Sequence, residues 1–439
     1  MIEKVVYKNI GKPGSETLES YQQSGGYRVL GKLVQKGSSS QVIKEIKKSG
    51  LRGCGGAGFP TGNKWEFVAQ AAGSQKYVVC NADEGEPGTF KDRIVLEQDP
   101  HLLIEGMAIA GFAVGAEIGY IYIRGEFTLA WQRLRQALDE AYANNILGDK
   151  ILGSRTNFNI KLRRGAGAYV CGEETALIES LEGKRGVPRL RPPYPTTHGL
   201  FGEPTLVNNV ETLARVPTII EKGADWYCQL GRGGAAGTKV YCLSGHVQKP
   251  GAYELPIGVT ASELIYDCGG GIKGNRGLKA FSPGGLSSGV LPHSMVNVSL
   301  NYESLANAGS MLGSGAVVVM DESTCMVDVA LRTARFYAHE SCGECTPCRI
   351  GNLRMVQTLT KIANGLGSWH DLQILKELGE RMIRDSRCGL GQVAAFPFLS
   401  SLSQFAEEYR AHTEQKKCPS GVCPMSPVVV PHYSEEVTV

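Results

Sequence analysis

Three cysteines stand at two-residue intervals in SCGECTPCRIG, at Cys342, Cys345 and Cys348, and a fourth, Cys388, follows forty residues later in RCGLG. Thiolates so spaced wrap one face of an iron–sulfur cube, and a distant fourth closes the Cys₄ ligation of one [4Fe–4S] cluster. Zinc is the rival metal, although its structural sites favour pairs of CxxC ligands over a consecutive triplet. Either metal forces two distant segments to meet. Gly343, Gly389 and Gly391 suit the close backbone approach that such sulfurs need.

A chain of 439 residues divides into about three domains at the usual ~150 residues each. Thirteen cysteines, an odd number, without an export signal in MIEKVVYKNIGK argue for a reducing compartment and a chain that begins near Met1. Lys+Arg 46 against Asp+Glu 43 leaves +3, so no global field attracts nucleic acid or an anionic membrane. The apolar stretch from His101 to Ile123 contains Glu105 and Glu117; it reads as a buried helix followed by a strand rather than a membrane span.

Residues 1–49 read as a polar lead-in with one helix near Ser40 to Ser49. Over 50–237, short apolar runs at 76–80, 119–123 and 159–162 alternate with helical patterns at 100–115, 127–144 and 173–182, which predicts an α/β domain with a largely parallel sheet. After the glycine-rich joint LGRGGAAG, residues 238–325 carry short strands around one small helix, as in an α+β module of β-grasp type. Residues 326–411 turn helical, with Leu353, Val356, Leu359 and Ile362 at three- and four-residue spacing, as in a small four-helix bundle. The tail, 412–439, is expected to be partly ordered at best.

Four further constellations carry chemistry. The loop Gly53-Cys54-Gly55-Gly56-Ala57-Gly58 fits GxGxxG, but a helical pattern precedes it where a dinucleotide fingerprint needs a strand. It is either a structural turn or a loop whose amides face a phosphate or a flat ring, with Lys64, Trp65 and Phe67 close behind. Asn81 to Phe90 places Asp83, Glu84 and Glu86 just after an apolar run, as a solvated or calcium-like loop or as a ligand site beyond a strand's carboxyl end. In Arg163 to Gly186, strand, glycine-rich turn and helix succeed one another, and Glu173 and Glu174 suit a helix's first turn. Seven Lys/Arg against four Glu from Lys161 to Arg191 favour a phosphate-bearing ligand. The segment Val207 to Thr212, taken alone, reads as a helix cap.

Together LRGCGGAGFPTGNKW, NADEGEPGTFKDR, GAGAYVCGEETALIESLEGKRG, TLVNNVET and ESCGECTPCRIG closely resemble the NADH-oxidising flavoprotein subunits of respiratory complex I, in order from about Gly50 to about Gly391. The resemblance implies FMN, NADH and one [4Fe–4S] cluster on one chain, with a Rossmann-like FMN/NADH domain over 50–237, a β-grasp domain over 238–325 and a helical cluster domain over 326–411. It implies hydride transfer from NADH to FMN and single-electron exit through the cluster. It places Gly53, Gly55, Lys64, Asn81, Asp83, Glu84, Tyr169, Gly172, Glu173, Asn208, Asn209 and Thr212 around FMN. Phe59, Phe67, Glu86, Glu174, Arg191 and Tyr194 fall on the NADH side, and no side chain is nominated as a catalytic acid or base. The implied partners are a small thioredoxin-like [2Fe–2S] subunit and a larger iron–sulfur subunit, on the cytoplasmic side of a peripheral arm without membrane insertion.

The same module serves NAD-linked hydrogenases and formate dehydrogenases, which are the close alternatives; a flavin-free scaffold is a rival of another class. Where the family usually has arginine in the glycine loop, this chain has Cys54, expected to put a thiol beside the flavin. Cys418-Pro-Ser-Gly-Val-Cys423 resembles cysteine-bearing extensions of the hydrogenase and formate dehydrogenase relatives. With His412 or His432 the two thiols could bind a metal, but plain tail cysteines are the preferred reading. Cys171, Cys228, Cys242, Cys268 and Cys325 lack ligand spacing and read as buried small hydrophobes.

Overall fold

The structure is a computed structural model that describes residues 3–425. Four strands, β1 (Tyr77–Ala82), β2 (Ile118–Ile123), β3 (Asn159–Arg164) and β4 (Thr205–Asn209), form one wholly parallel sheet in the order β3-β2-β1-β4. Parallel neighbours require crossover connections, and the helices Pro100–Val114 and Thr128–Ala143 supply two of them. The strand order reverses between β1 and β4, which opens a crevice beyond their carboxyl ends.

The helix Pro100–Val114 starts with proline at its first turn and ends at Gly115 in the left-handed region, and every residue but Phe112 is buried. It crosses the helix Val210–Lys222 so closely that a Cβ on Gly106 would lie 2.1 Å from the Leu213 carbonyl oxygen. Glu105, inside this apolar helix, accepts from the Tyr21 hydroxyl at 2.5 Å and the Tyr27 amide at 3.0 Å. No helix among the described residues is long and apolar enough to cross a membrane.

The polar-looking first fifty residues contribute Val5, Val6, Leu30 and Ile46 to the same core as β1 and β2. Their amphipathic helices, Arg28–Lys36 and Ser39–Lys48, bury one face each.

A second sheet holds β5 (Thr238–Gly245), β6 (Gly251–Pro256), β7 (Leu278–Ser282), β8 (Leu291–Pro292) and β9 (Ala316–Asp321) in the order β6-β5-β9-β7-β8. Its first and last strands pair in parallel in the centre, with antiparallel neighbours outside, which is the β-grasp order.

Four longer helices follow, Met326–Glu340, Thr346–Ala363, Trp369–Asp385 and Phe396–Gln404, with the short Gly389–Ala394 and Ala406–Thr413 wedged among them. The apolar stripe of Thr346–Ala363 runs through Cys348, Met355, Leu359 and Ile362, while Leu353 turns outward at 50 % exposure. The three- and four-residue repeat misplaced Leu353 because the stripe is set by the cysteine end of the helix.

Of the tail, residues 412–425 are described: the Lys417 amide donates to the Ala411 carbonyl, and Cys418 and Cys423 are buried. His432 lies outside the described residues. Cys171, Cys242 and Cys325 are buried as expected, whereas Cys228 and Cys268 are partly exposed at the ends of short helical segments.

Candidate active site

The crevice between β1 and β4 opens into a cavity of about 550 Å³. Its floor is made by Asn81 at the end of β1 and Val207, Asn208 and Asn209 of β4, and one wall is the glycine loop from Gly53 to Phe59. That loop links two helices, not a strand and a helix, so it departs from the dinucleotide fingerprint as the sequence suggested. A Cβ on Gly55 would lie 3.2 Å from that of Asn209, so glycine lets the loop settle against the floor.

Of the residues singled out in the sequence, Gly53, Gly55, Phe59, Lys64, Phe67, Asn81, Gly172, Glu173, Glu174, Arg191, Tyr194, Asn208 and Asn209 line this cavity. Lys64 Nζ stands 2.9 Å from Glu174, and Arg191 reaches the same carboxylate at 3.4 Å. Phe59, Phe67 and Tyr194 form an exposed rim, each about half accessible. Asn208 accepts from the buried Trp65 indole at 2.9 Å, while Asn209 caps the helix Val210–Lys222 through the Glu211 amide. Glu173 caps the helix Glu174–Leu181 through the amides of Thr175 and Ala176. The capping and cavity-lining readings of these segments are therefore both realised.

Asp83, Glu84, Glu86, Tyr169 and Thr212 lie outside the lining. Glu84 instead accepts from the amides of Lys91, Asp92 and Arg93 at 2.8–3.1 Å, closing the start of the helix Lys91–Gln98. Burial and the neighbouring Asp92 carboxylate hold its pKa above the usual range, against the pull of Lys91. Glu86 accepts from the Tyr169 hydroxyl at 2.6 Å and the Ser287 amide at 2.9 Å, which joins the β1 loop to the second sheet's loops. Asp83 is buried just behind Gly172, and desolvation pushes its pKa up to about 7 against the opposing charge of Arg124.

Thr212 acts on the glycine loop, accepting from the Cys54 amide at 2.9 Å. The Cys54 side chain is buried and does not line the cavity; its thiol lies 3.5 Å from the Arg52 carbonyl and within the field of buried Lys91 and Arg215. Where a thiol facing a bound ligand was expected, the loop turns its backbone and not this side chain toward the cavity.

Cys342, Cys345, Cys348 and Cys388 converge on a second, small pocket with Val170, Pro188, Glu344, Arg387 and Leu390. Two donors meet one of the sulfurs: Asn352 Nδ2 and Ser341 Oγ each stand 3.3 Å from Cys348 Sγ. A Cβ on Gly391 would lie 3.0 Å from that of Cys348, so this glycine, three residues after Cys388, permits the approach of the two segments. Four thiols with such donors suit an iron–sulfur cluster.

The two pockets share a wall. Val170 lines the cysteine pocket and Gly172 the cavity; Cys388 lines the first and Gly389 the second. Glu340 accepts from the Tyr169 amide at 2.9 Å, and Arg185 donates to the Cys342 carbonyl at 2.7 Å, fastening the helical part to the α/β part across this wall.

The family model for the Nuo51 FMN-binding domain matches residues 46–218, the one for the NADH-ubiquinone oxidoreductase-F iron-sulfur binding region residues 328–412, and the SLBB domain residues 240–290. The chain is 50 % identical over 419 residues to the second F subunit of NADH-quinone oxidoreductase in Rhizobium meliloti (strain 1021), covering 95 % of this chain and 100 % of that one. It belongs to the family of NADH-quinone oxidoreductase F subunits.

Members of the F-subunit family share this layout with hydrogenase subunits. NADP-reducing hydrogenase subunit HndC of Solidesulfovibrio fructosivorans is 48 % identical, over 96 % of this chain and 85 % of that one. A crystal structure of NAD⁺-reducing [NiFe]-hydrogenase in the H₂-reduced state superposes with TM-score 0.81 at 38 % identity, covering 90 % of this chain; this chain spans 66 % of that one. As a member of the F-subunit family the protein is an oxidoreductase of NADH dehydrogenase type, with an FMN-binding domain and a [4Fe–4S] region, and it works with other subunits.

Sequence reasoning missed Thr61, Pro195, Thr196, Thr205 and Gly389 as cavity residues. Pro195 and Thr196 directly follow Tyr194, and Gly389 follows a cysteine already singled out, so adjacency was the available signal.

Proposed function

We propose that this chain is the NADH-oxidising, electron-input subunit of a respiratory complex I. The observation that carries the reading is the wall shared by the crevice cavity and the four-cysteine pocket, which sets a hydride-accepting site against a one-electron site. Bound FMN supplies the conversion between a hydride and single electrons. The backbone of Gly53 to Gly58, with Asn81, Asn208 and Asn209, would hold it at the β1 and β4 ends, and Lys64 supplies a cation in the same cavity. Phe59, Phe67 and Tyr194 offer faces on which adenine and nicotinamide stack. Arg191 and Glu174 sit where phosphate and ribose groups of NADH pass. Thr212, Glu84 and Glu86 act one step back, anchoring the loops that line the cavity, and Tyr169 and Asp83 support the shared wall. Cys342, Cys345, Cys348 and Cys388 hold one [4Fe–4S] cluster.

The nearest partner is a small thioredoxin-like [2Fe–2S] subunit and the next a larger iron–sulfur subunit, on the cytoplasmic side of the peripheral arm. A second reading, the diaphorase subunit of an NAD(P)-linked hydrogenase, draws on the 48 % identity to HndC.

Anaerobic titration of the purified protein with NADH tests the site: the flavin's visible absorption should bleach. In Cys345→Ser the broad iron–sulfur absorbance should vanish while NADH still bleaches the flavin. A flavin that ignores NADH, or about four irons per chain retained in the variant, would overturn the assignment.

A further inference from the structure

Four ligand-type side chains that the redox site does not use converge at the junction between the second sheet and the helices. Cys325 stands immediately before the helix Met326–Glu340, His412 lies in the last turn of Ala406–Thr413, and Cys418 and Cys423 come from the tail. All four are buried, His412 completely, and their ligand atoms lie within 4.8 Å of one another. The Cys325 sulfur is 3.5 Å from His412 Nε2 and 3.6 Å from the Cys423 sulfur. No other set of three or more His, Cys, Asp or Glu among the described residues has its ligand atoms all within 4.8 Å of one another, the four cysteines of the redox pocket being wider apart.

We propose that Cys325, His412, Cys418 and Cys423 form a structural zinc centre, separate from the cysteine pocket. Zinc bonds of ~2.3 Å to sulfur and ~2.0 Å to nitrogen in a tetrahedron imply ligand edges of about 3.8 Å between sulfurs and about 3.5 Å from sulfur to nitrogen. The Cys325–His412 edge of 3.5 Å and the Cys325–Cys423 edge of 3.6 Å match these values. An S–S bond of ~2.05 Å is far shorter than the 3.6 Å between Cys325 and Cys423, and all the cysteines are free thiols.

The surroundings are those of a metal site. His412 Nδ1 stands 2.7 Å from the Glu408 carbonyl, so it carries the proton and donates, leaving the Nε2 lone pair aimed at the sulfurs. The Cys423 amide donates to the Cys418 sulfur at 3.4 Å, and Gly421, with φ +68°, makes the turn between the two cysteines. Ser420 Oγ donates to the Thr324 carbonyl, seating the tail loop beside Cys325. Four protein ligands and burial leave no open position, so the centre is structural and not catalytic. It pins the tail and the last helix to the start of the first cluster-domain helix.

Elemental analysis of the purified, iron-replete protein, prepared without chelators, should find about one zinc per chain. Zinc-edge X-ray absorption should give three sulfurs at ~2.3 Å and one nitrogen at ~2.0 Å. Cys423→Ser should lose the zinc while iron stays at the unmodified protein's value. Absence of zinc from the unmodified protein, iron in its place, or a zinc shell of nitrogen and oxygen only would overturn the proposal, whether or not the variant folds.

Discussion

Gly58 shows how much of the cavity wall rests on one absent side chain. It has φ +64°, and a Cβ there would lie 2.4 Å from Cε1 of Tyr302, whose ring sits 4.1 Å under the Arg52 guanidinium. Alanine must therefore accept left-handed strain of roughly 1–3 kcal/mol and push the ring off Arg52. Gly58→Ala should weaken FMN retention by roughly 5- to 30-fold, the equivalent of ~1–2 kcal/mol, in a fluorescence titration of the flavin-stripped protein. Unchanged affinity would mean that the loop is not shaped by this contact. The glycines and aromatic rim residues were legible in the sequence because backbone approach and stacking depend on residue type alone. The carboxylates were not: Glu84 and Glu86 look alike in NADEGEP, and only the fold decides that one meets the amides of Lys91, Asp92 and Arg93 while the other meets Tyr169 and Ser287. The neighbours of Cys325 were illegible for a related reason, since they lie 87 to 98 positions away and no local spacing announces them.

Between elements, the telling feature is a buried ionic knot. Glu211, on the helix Val210–Lys222, faces Lys91 at 3.0 Å, Arg215 at 2.5 Å and Lys239 of β5 at 3.7 Å. Burial alone would raise its pKa, but Lys239, Lys91 and Arg215 overcome this and hold it well below the carboxylate range. Glu211→Gln leaves those cations facing a neutral group in a dry site, so it should cost ~3–5 kcal/mol in chemical denaturation. A loss below about 1 kcal/mol would show that water or rearrangement screens the knot. The strand and helix alternation was readable from apolar periodicity, and β1, β2 and β3 came out where expected. The fourth parallel strand, β4, was not, because TLVNN is five residues long and its asparagines pointed to a cap. Both roles coexist, since the strand ends at the residue that caps the next helix.

The assembled protein exposes apolar side chains beside its cluster pocket. Ile350 and Leu353 stand out from the cysteine-bearing helix, at 43 % and 50 % exposure. Exposed residues of this kind mark an interface when they sit together near an electron exit. Leu353→Asp should weaken co-purification with the proposed [2Fe–2S] subunit and slow electron delivery to it, while NADH reduction of the flavin stays unchanged. Equal recovery of the pair would place that interface elsewhere.

The amides of Val5, Val6 and Tyr7 all donate to the Glu254 carboxylate of β6, across as many as 249 positions of sequence. On the ribosome, those three residues leave the exit tunnel long before their acceptor is synthesised. That segment must therefore wait, unsecured, until the second sheet's hairpin exists. Its docking is a late event in biogenesis, and this edge of the protein is where chaperones would find an unfinished chain.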